Sequence, residues 1–144
     1  MSTDISTELI KELRDTTGIS VMQCKNALTE AGGDMKKALA ILKKTSAEIA
    51  KKKAGRDAND GRVDIKKEED KAILLSLHCE TDFVSKNEDF IALLSSLLDE
   101  AWNKGIDKMR EISASMIAPI IQKVGEKIEL GEVYQVEGAS LGVY

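Results

Sequence analysis

The stretch from Ala72 to Phe90 constrains the fold more than any other. Ile73, Leu75, Leu77 and Cys79 occupy one parity, and Ser76, His78 and Glu80 the other. Successive side chains of a strand point to opposite faces, so this spacing predicts a strand with one face in a core. Such a strand needs sheet partners and a layer to bury against. Thr81, Asp82, Phe83 and Val84 then make a corner before a helix, which Ser85 with Glu88, or Asn87 alone, would cap. Phe83 is one of only two phenylalanines. On composition it reads first as a side chain closing the end of the core. Beside a carboxylate at an exposed corner, it would also suit contact with a partner.

The flanks supply the partners. Arg62–Lys66 alternates as a short strand, Lys67–Asp70 reads as a charged turn, and Lys71–Glu80 returns as the second arm of a hairpin. After the corner, a helix over roughly Asn87–Asn103 presents Phe90, Ile91, Leu94, Leu97, Leu98, Ala101 and Trp102 on a broad apolar face. Residues 106–125 continue the helical period, with Pro119 expected to split the helix or open a new one. Lys127–Glu137 reads as a last strand, with Ile128, Leu130, Tyr134 and Val136 on one parity and Gly131 marking a bulge. This half is α+β: a small antiparallel sheet with helices on one face.

Residues 4–45 read as three short helices. Ser6 caps the first, with Ile5 and Ile10 placed for a hydrophobic staple and Gly18 past its end. Ser20 and Gln23 make a capping box for the second, whose inner face is Val21, Cys24, Ala27, Leu28 and Ala31. Asp34 caps the third, with Met35, Ala38, Leu39 and Leu42 inward. Met22 lies off the inner face, free either to pack on the first helix or to dock on a partner. The expected division is a three-helix module over 1–45, a connecting helix and turn over 46–61, and an α+β unit over 62–144. The lysine cluster Lys51–Lys53 in the connector reads as a solvated face before it reads as a phosphate site.

Composition narrows function. A net charge of −4 and a pI near 5.2 argue against a general nucleic-acid binder. No apolar run reaches membrane-spanning length and no signal-peptide pattern opens the chain, so a cytoplasmic protein without membrane contact is expected. Cys24 and Cys79 form neither metal spacing nor a disulfide framework. His78 is the only histidine, and strand parity points it away from Cys79. Paired with Glu80 alone it makes a poor metal site. No phosphate-binding glycine loop is present. Enzymatic activity is disfavoured, with a small hydrolase or transferase using His78 as the remote alternative. Neither a cofactor nor a metal is expected.

Four segments carry a family resemblance. The first is Leu13-Arg14 with Thr17-Gly18, Met22-Gln23-Cys24-Lys25, Ala27-Leu28, Ala31-Gly32-Gly33-Asp34 and Lys37-Ala38. The second is Ala50-Lys51-Lys52-Lys53-Ala54-Gly55-Arg56, with Ala58 and Gly61. The third is Cys79-Glu80-Thr81-Asp82-Phe83-Val84, with Asn87-Glu88 and Phe90, and Val124-Gly125-Glu126-Lys127-Ile128 is a weaker fourth. In this order they closely resemble elongation factor Ts, the guanine-nucleotide exchange factors of bacterial translation. Gln23, Asn26 and Ser85 depart from the family pattern as surface-type changes.

The resemblance implies a ubiquitin-associated-like module followed by an α+β core subdomain, present as a single repeat. It implies elongation factor Tu, GDP-bound and nucleotide-free, as partner. It places Thr81, Asp82, Phe83 and Val84 at the nucleotide-exchange contact, and Val21 and Met22 at a docking contact. Asp82 and Phe83 would disturb the magnesium and phosphate end of the partner's nucleotide site. Short family members pair as homodimers, which implies pairing through the exposed sheet edge or the Lys127–Tyr144 end. A docking module without exchange activity is the alternative.

Overall fold

The structure, a computed structural model, describes residues 4–144. Three helices come first: α1 (Thr7–Thr17), α2 (Val21–Glu30) and α3 (Met35–Lys53). Each begins where a short polar side chain takes up an orphan N–H of the first turn. Ser6 Oγ accepts from Leu9 N at 3.3 Å, Ser20 Oγ from Gln23 N at 3.4 Å, and Asp34 Oδ1 from Lys37 N at 3.1 Å. Gly18, at φ +68°, closes α1 by donating to Arg14 O at 2.7 Å. Leu13, Ile19, Cys24, Ala27, Leu28, Ala38 and Leu42 make a small shared core. Only half of the expected capping box forms. The Gln23 side chain turns away instead and accepts from Gln122 Nε2. α3 also runs unbroken past residue 45 to Lys53.

A hairpin follows, β1 (Asp60–Glu68) and β2 (Lys71–Cys79), turning on Glu69-Asp70 with Glu69 at φ +49°. Then come a short helix α4 (Asp82–Ser85), α5 (Glu88–Lys104), α6 (Ile106–Val124) and β3 (Ile128–Glu137). The sheet order is β1-β2-β3, with both pairs antiparallel. Ile73, Leu75, Leu77 and Cys79 of the central strand are fully buried beneath α5 and α6, as their alternation predicts. With Phe90, Leu94, Leu97 and Met109 they form the larger core. Burying one Leu or Phe side chain contributes roughly 1.5–3 kcal/mol, so this layer carries much of the stability.

Two expectations change. Pro119 neither splits α6 nor opens a new helix; it sits inside a continuous one. The carbonyl that loses its donor belongs to Ser115, which is exposed and open to water, while Ile117, Ala118 and Ile121 pin the helix on both sides. The second change is parity in β3. Leu75 faces Val133 but Leu77 faces Leu130, so β3 carries one extra residue at Gly131-Glu132. Ser76 Oγ accepts from Glu132 N at 2.8 Å and so satisfies the bulge. Beyond it the faces exchange. Ile128, Leu130 and Val133 pack on the core, while Tyr134 and Val136 turn outward and are half-exposed. Part of the outer face of the sheet is therefore apolar: Ile65 and Leu74 lie in register with Tyr134, and Ala72 with Val136, while Ser76 and His78 keep the rest of that face polar. Val63 stands exposed beside them.

Candidate functional site

The corner after β2 is built by non-local hydrogen bonds. Thr81 is extended and lacks the usual side-chain cap to α4. Instead it turns toward Glu126, just past the end of α6. Thr81 N donates to Glu126 Oε1 at 3.0 Å and Thr81 Oγ1 to Glu126 Oε2 at 2.7 Å. Both carboxylate oxygens are thus engaged by one residue, and hydrogen bonds to an ionised group are the stronger kind. Next to it, Glu80 Oε1 accepts from Lys127 N at 2.8 Å and pairs with Arg56 at 3.4 Å. Arg62 Nη1 reaches Ser85 O at 3.4 Å from β1. Asn87 alone caps α5, accepting from Asp89 N at 2.8 Å, while buried Ser85 donates to Asp82 O at 3.0 Å.

This scaffold divides the four corner residues. Val84 is buried in the core, and Thr81 is tied inward. Phe83 is 83% exposed, so it does not close the core. Asp82 is exposed beside it and meets Lys86 at 3.5 Å in an open pair that contributes little. A backbone anchored at Thr81 and an exposed apolar ring together make a protrusion.

A second exposed point lies on the helical module. Met22 is 66% and Val21 48% exposed at the start of α2. The end of α6 connects the two points. Gln122 Nε2 donates to Gln23 Oε1 at 3.1 Å, and the Gln122 amide also meets Ser46 Oγ of α3. Lys123 lies against Gly18 and pairs with Asp89 of α5 at 3.0 Å. Four residues after Gln122, Glu126 holds the corner. Sequence reasoning missed Glu126 and Gln122 as supports. The only signal was Glu126 within the fourth family-like segment.

Burial and the charges of Asp60 and Glu126 push the Cys79 thiol from 9.0 up to about 11. The thiol donates to Thr81 O at 3.2 Å, so it is a packed, protonated prop rather than a nucleophile. His78 lies on the opposite face, 3.4 Å from Ser76 Oγ. Among the described residues no group of His, Cys, Asp and Glu is placed to hold a metal, and no helix is long and apolar enough to cross a membrane.

As a class, this is an α+β chain with a leading three-helix unit and an exposed apolar point on each part. Comparison with known proteins is more particular. Residues 80–144 match the family described as Elongation factor TS, a match that begins at the corner itself. Over 143 residues, 97% of this chain, it is 41% identical to Elongation factor Ts of Shewanella baltica, covering 50% of that protein. It is 38% identical over 152 residues to Elongation factor Ts of Acinetobacter baumannii, covering 99% of this chain and 52% of that one. With Elongation factor Ts of Psychrobacter arcticus the identity is 36% over 150 residues, covering 97% and 51%. The chain is thus similar to elongation factor Ts over nearly all its residues, as the motifs imply. It spans about half the length of these relatives.

Proposed function

We propose that the chain is a non-enzymatic guanine-nucleotide exchange factor acting in translation elongation in the cytoplasm. It binds elongation factor Tu in the GDP-bound and nucleotide-free forms and promotes GDP release. The observation that carries this reading is Phe83, 83% exposed on a corner that Glu126 anchors at Thr81. A ring kept in water gains by burial only where a partner opens a pocket for it. Asp82 beside it competes for the polar contacts that support the partner's magnesium ion. Val21 and Met22 supply the second contact, and Thr81 and Val84 anchor the corner from within. No bond is made or broken. The factor needs only to bind the nucleotide-free partner better than the GDP form, and linkage makes GDP weaken factor binding by the same ratio.

A homodimer completes the proposal. The apolar part of the outer sheet face, with Val63, Tyr134 and Val136 each about half-exposed, is a surface that a second copy would cover. A monomeric mass by sedimentation at high protein concentration would remove this part. The test of function is release of fluorescent GDP from elongation factor Tu with substoichiometric amounts of this chain. Wild type is expected to release many equivalents, Phe83→Ala few, and Asp82→Ala an intermediate number. Binding without accelerated release would instead identify a docking module without exchange activity.

A further inference from the structure

Neither contact point uses the solvent side of α3 and α6. These helices are antiparallel: Ser46 meets Gln122, and further along Ala50 and Ala54 share a cleft with Ala114 and Ala118. On their open side lies a groove of about 490 Å³, formed by Ala47, Ala50 and Ala54 of α3 with Ala114 and Ala118 of α6. Lys43 and Lys51 stand on its α3 rim. Short side chains on two adjacent helices leave room for the ridge of a third. From Lys43 to Ala54 the groove extends about 17 Å at the helical rise of about 1.5 Å per residue, three turns of an opposing helix.

Charge indicates what fits. α3 carries seven lysines and one glutamate in a chain whose net charge is −4. Among the described residues, none of these seven lysines is in an ion pair. Lys43 and Lys51 are exposed on the rim itself, Lys44 is exposed next to Lys43, and Lys36 and Lys37 are exposed about two turns nearer the start of α3. Unneutralised positive charge beside an apolar trough favours a partner that is acidic at its flanks and aliphatic at its centre. A nucleic acid suits it less, because the trough offers no aromatic ring for stacking and the chain as a whole is acidic.

We propose that the α3–α6 groove docks an acidic amphipathic helix of a partner protein. Large aliphatic side chains seat over the alanines, and carboxylates flanking them meet Lys43 and Lys51. This surface is separate from the Phe83 corner and does not depend on the exchange reading.

The test uses the full chain, isotope-labelled, and three probes: a stapled helical peptide with a leucine ridge flanked by glutamates, the same peptide flanked by lysines, and polyuridine RNA. Anisotropy gives affinity and amide shifts give location. The acidic peptide is expected to bind, with shifts centred on Ala47, Ala50, Ala114 and Ala118, and the basic peptide at least tenfold more weakly. Lys43→Glu with Lys51→Glu is expected to weaken the acidic peptide at least tenfold. Ala47 is exposed, so Ala47→Arg leaves the fold intact while adding positive charge and filling the groove; it too is expected to weaken binding about tenfold. Tighter binding by Ala47→Arg would mean that charge alone attracts the peptide, and would overturn the proposal. So would no binding of the acidic peptide, shifts elsewhere, or RNA binding on α3 as tight as the peptide's.

Discussion

Replacing Glu126 by alanine removes both hydrogen bonds that fix Thr81, and the consequence follows from their geometry. At 3.0 and 2.7 Å, each joins a Thr81 donor to a carboxylate. Hydrogen bonds to charged groups contribute about 1.5–3 kcal/mol each when buried. Glu126 and Thr81 are only half-buried, so water replaces part of the loss. The expected destabilisation is about 1–2 kcal/mol in urea unfolding, with the slope of the transition unchanged. The larger effect is local: the Thr81 amide should exchange with solvent roughly tenfold faster or more, since each 1.4 kcal/mol of lost protection is about tenfold. Glu126→Gln keeps one oxygen for the Thr81 amide and can donate to its hydroxyl, so it should recover at least half the protection. In the exchange assay, Glu126→Ala should lower the saturating rate of GDP release while leaving the affinity for elongation factor Tu within about threefold, a positioning signature. An unchanged unfolding midpoint together with unchanged protection of the Thr81 amide would refute the argument that Glu126 holds the corner.

Three further outcomes are expected. Phe83→Ala should change stability by no more than about 0.5 kcal/mol, because the ring is 83% exposed, while abolishing most GDP release; a large fall in melting temperature would show that the ring supports the fold. Gly61→Ala should destabilise by about 2 kcal/mol or more in urea unfolding, because an added Cβ would run into the Leu77 backbone carbonyl, which cannot turn aside as a flexible side chain can. Alkaline titration should report Cys79: its folded-state value of about 11 lies above the ordinary 9.0, so the native state keeps a proton that the unfolded chain releases. Stability should hold below pH 9 and fall as pH rises through that window, with Cys79→Ala showing a shallower decline.

Much of the local structure was legible in the residues. Ser6, Ser20, Asp34 and Asn87 mark helix starts because a cap acts over two or three residues. The alternation through Ile73, Leu75, Leu77 and Cys79 identified the central strand because strand faces follow strict parity. Gly131 announced its bulge for a similar reason. What the bulge did to Tyr134 and Val136 was not legible, because Ser76 lies 56 residues from the Glu132 amide that it satisfies. The corner divides in the same way. Thr81-Asp82-Phe83-Val84 stood out as a motif, but composition assigned Phe83 to the core.

The sequence by itself determined where most helices and strands lie, which face of the central strand β2 is buried, and which family the chain resembles. All of these depend on neighbours a few positions apart. Tertiary structure alone decided that Phe83 projects while Val84 is buried, that Glu126 grips Thr81 across 45 residues, and that Gln122 reaches Gln23 across 99. Those outcomes depend on how helices and sheet pack. Packing brings polar groups together across the chain, and no local period encodes which of them will meet.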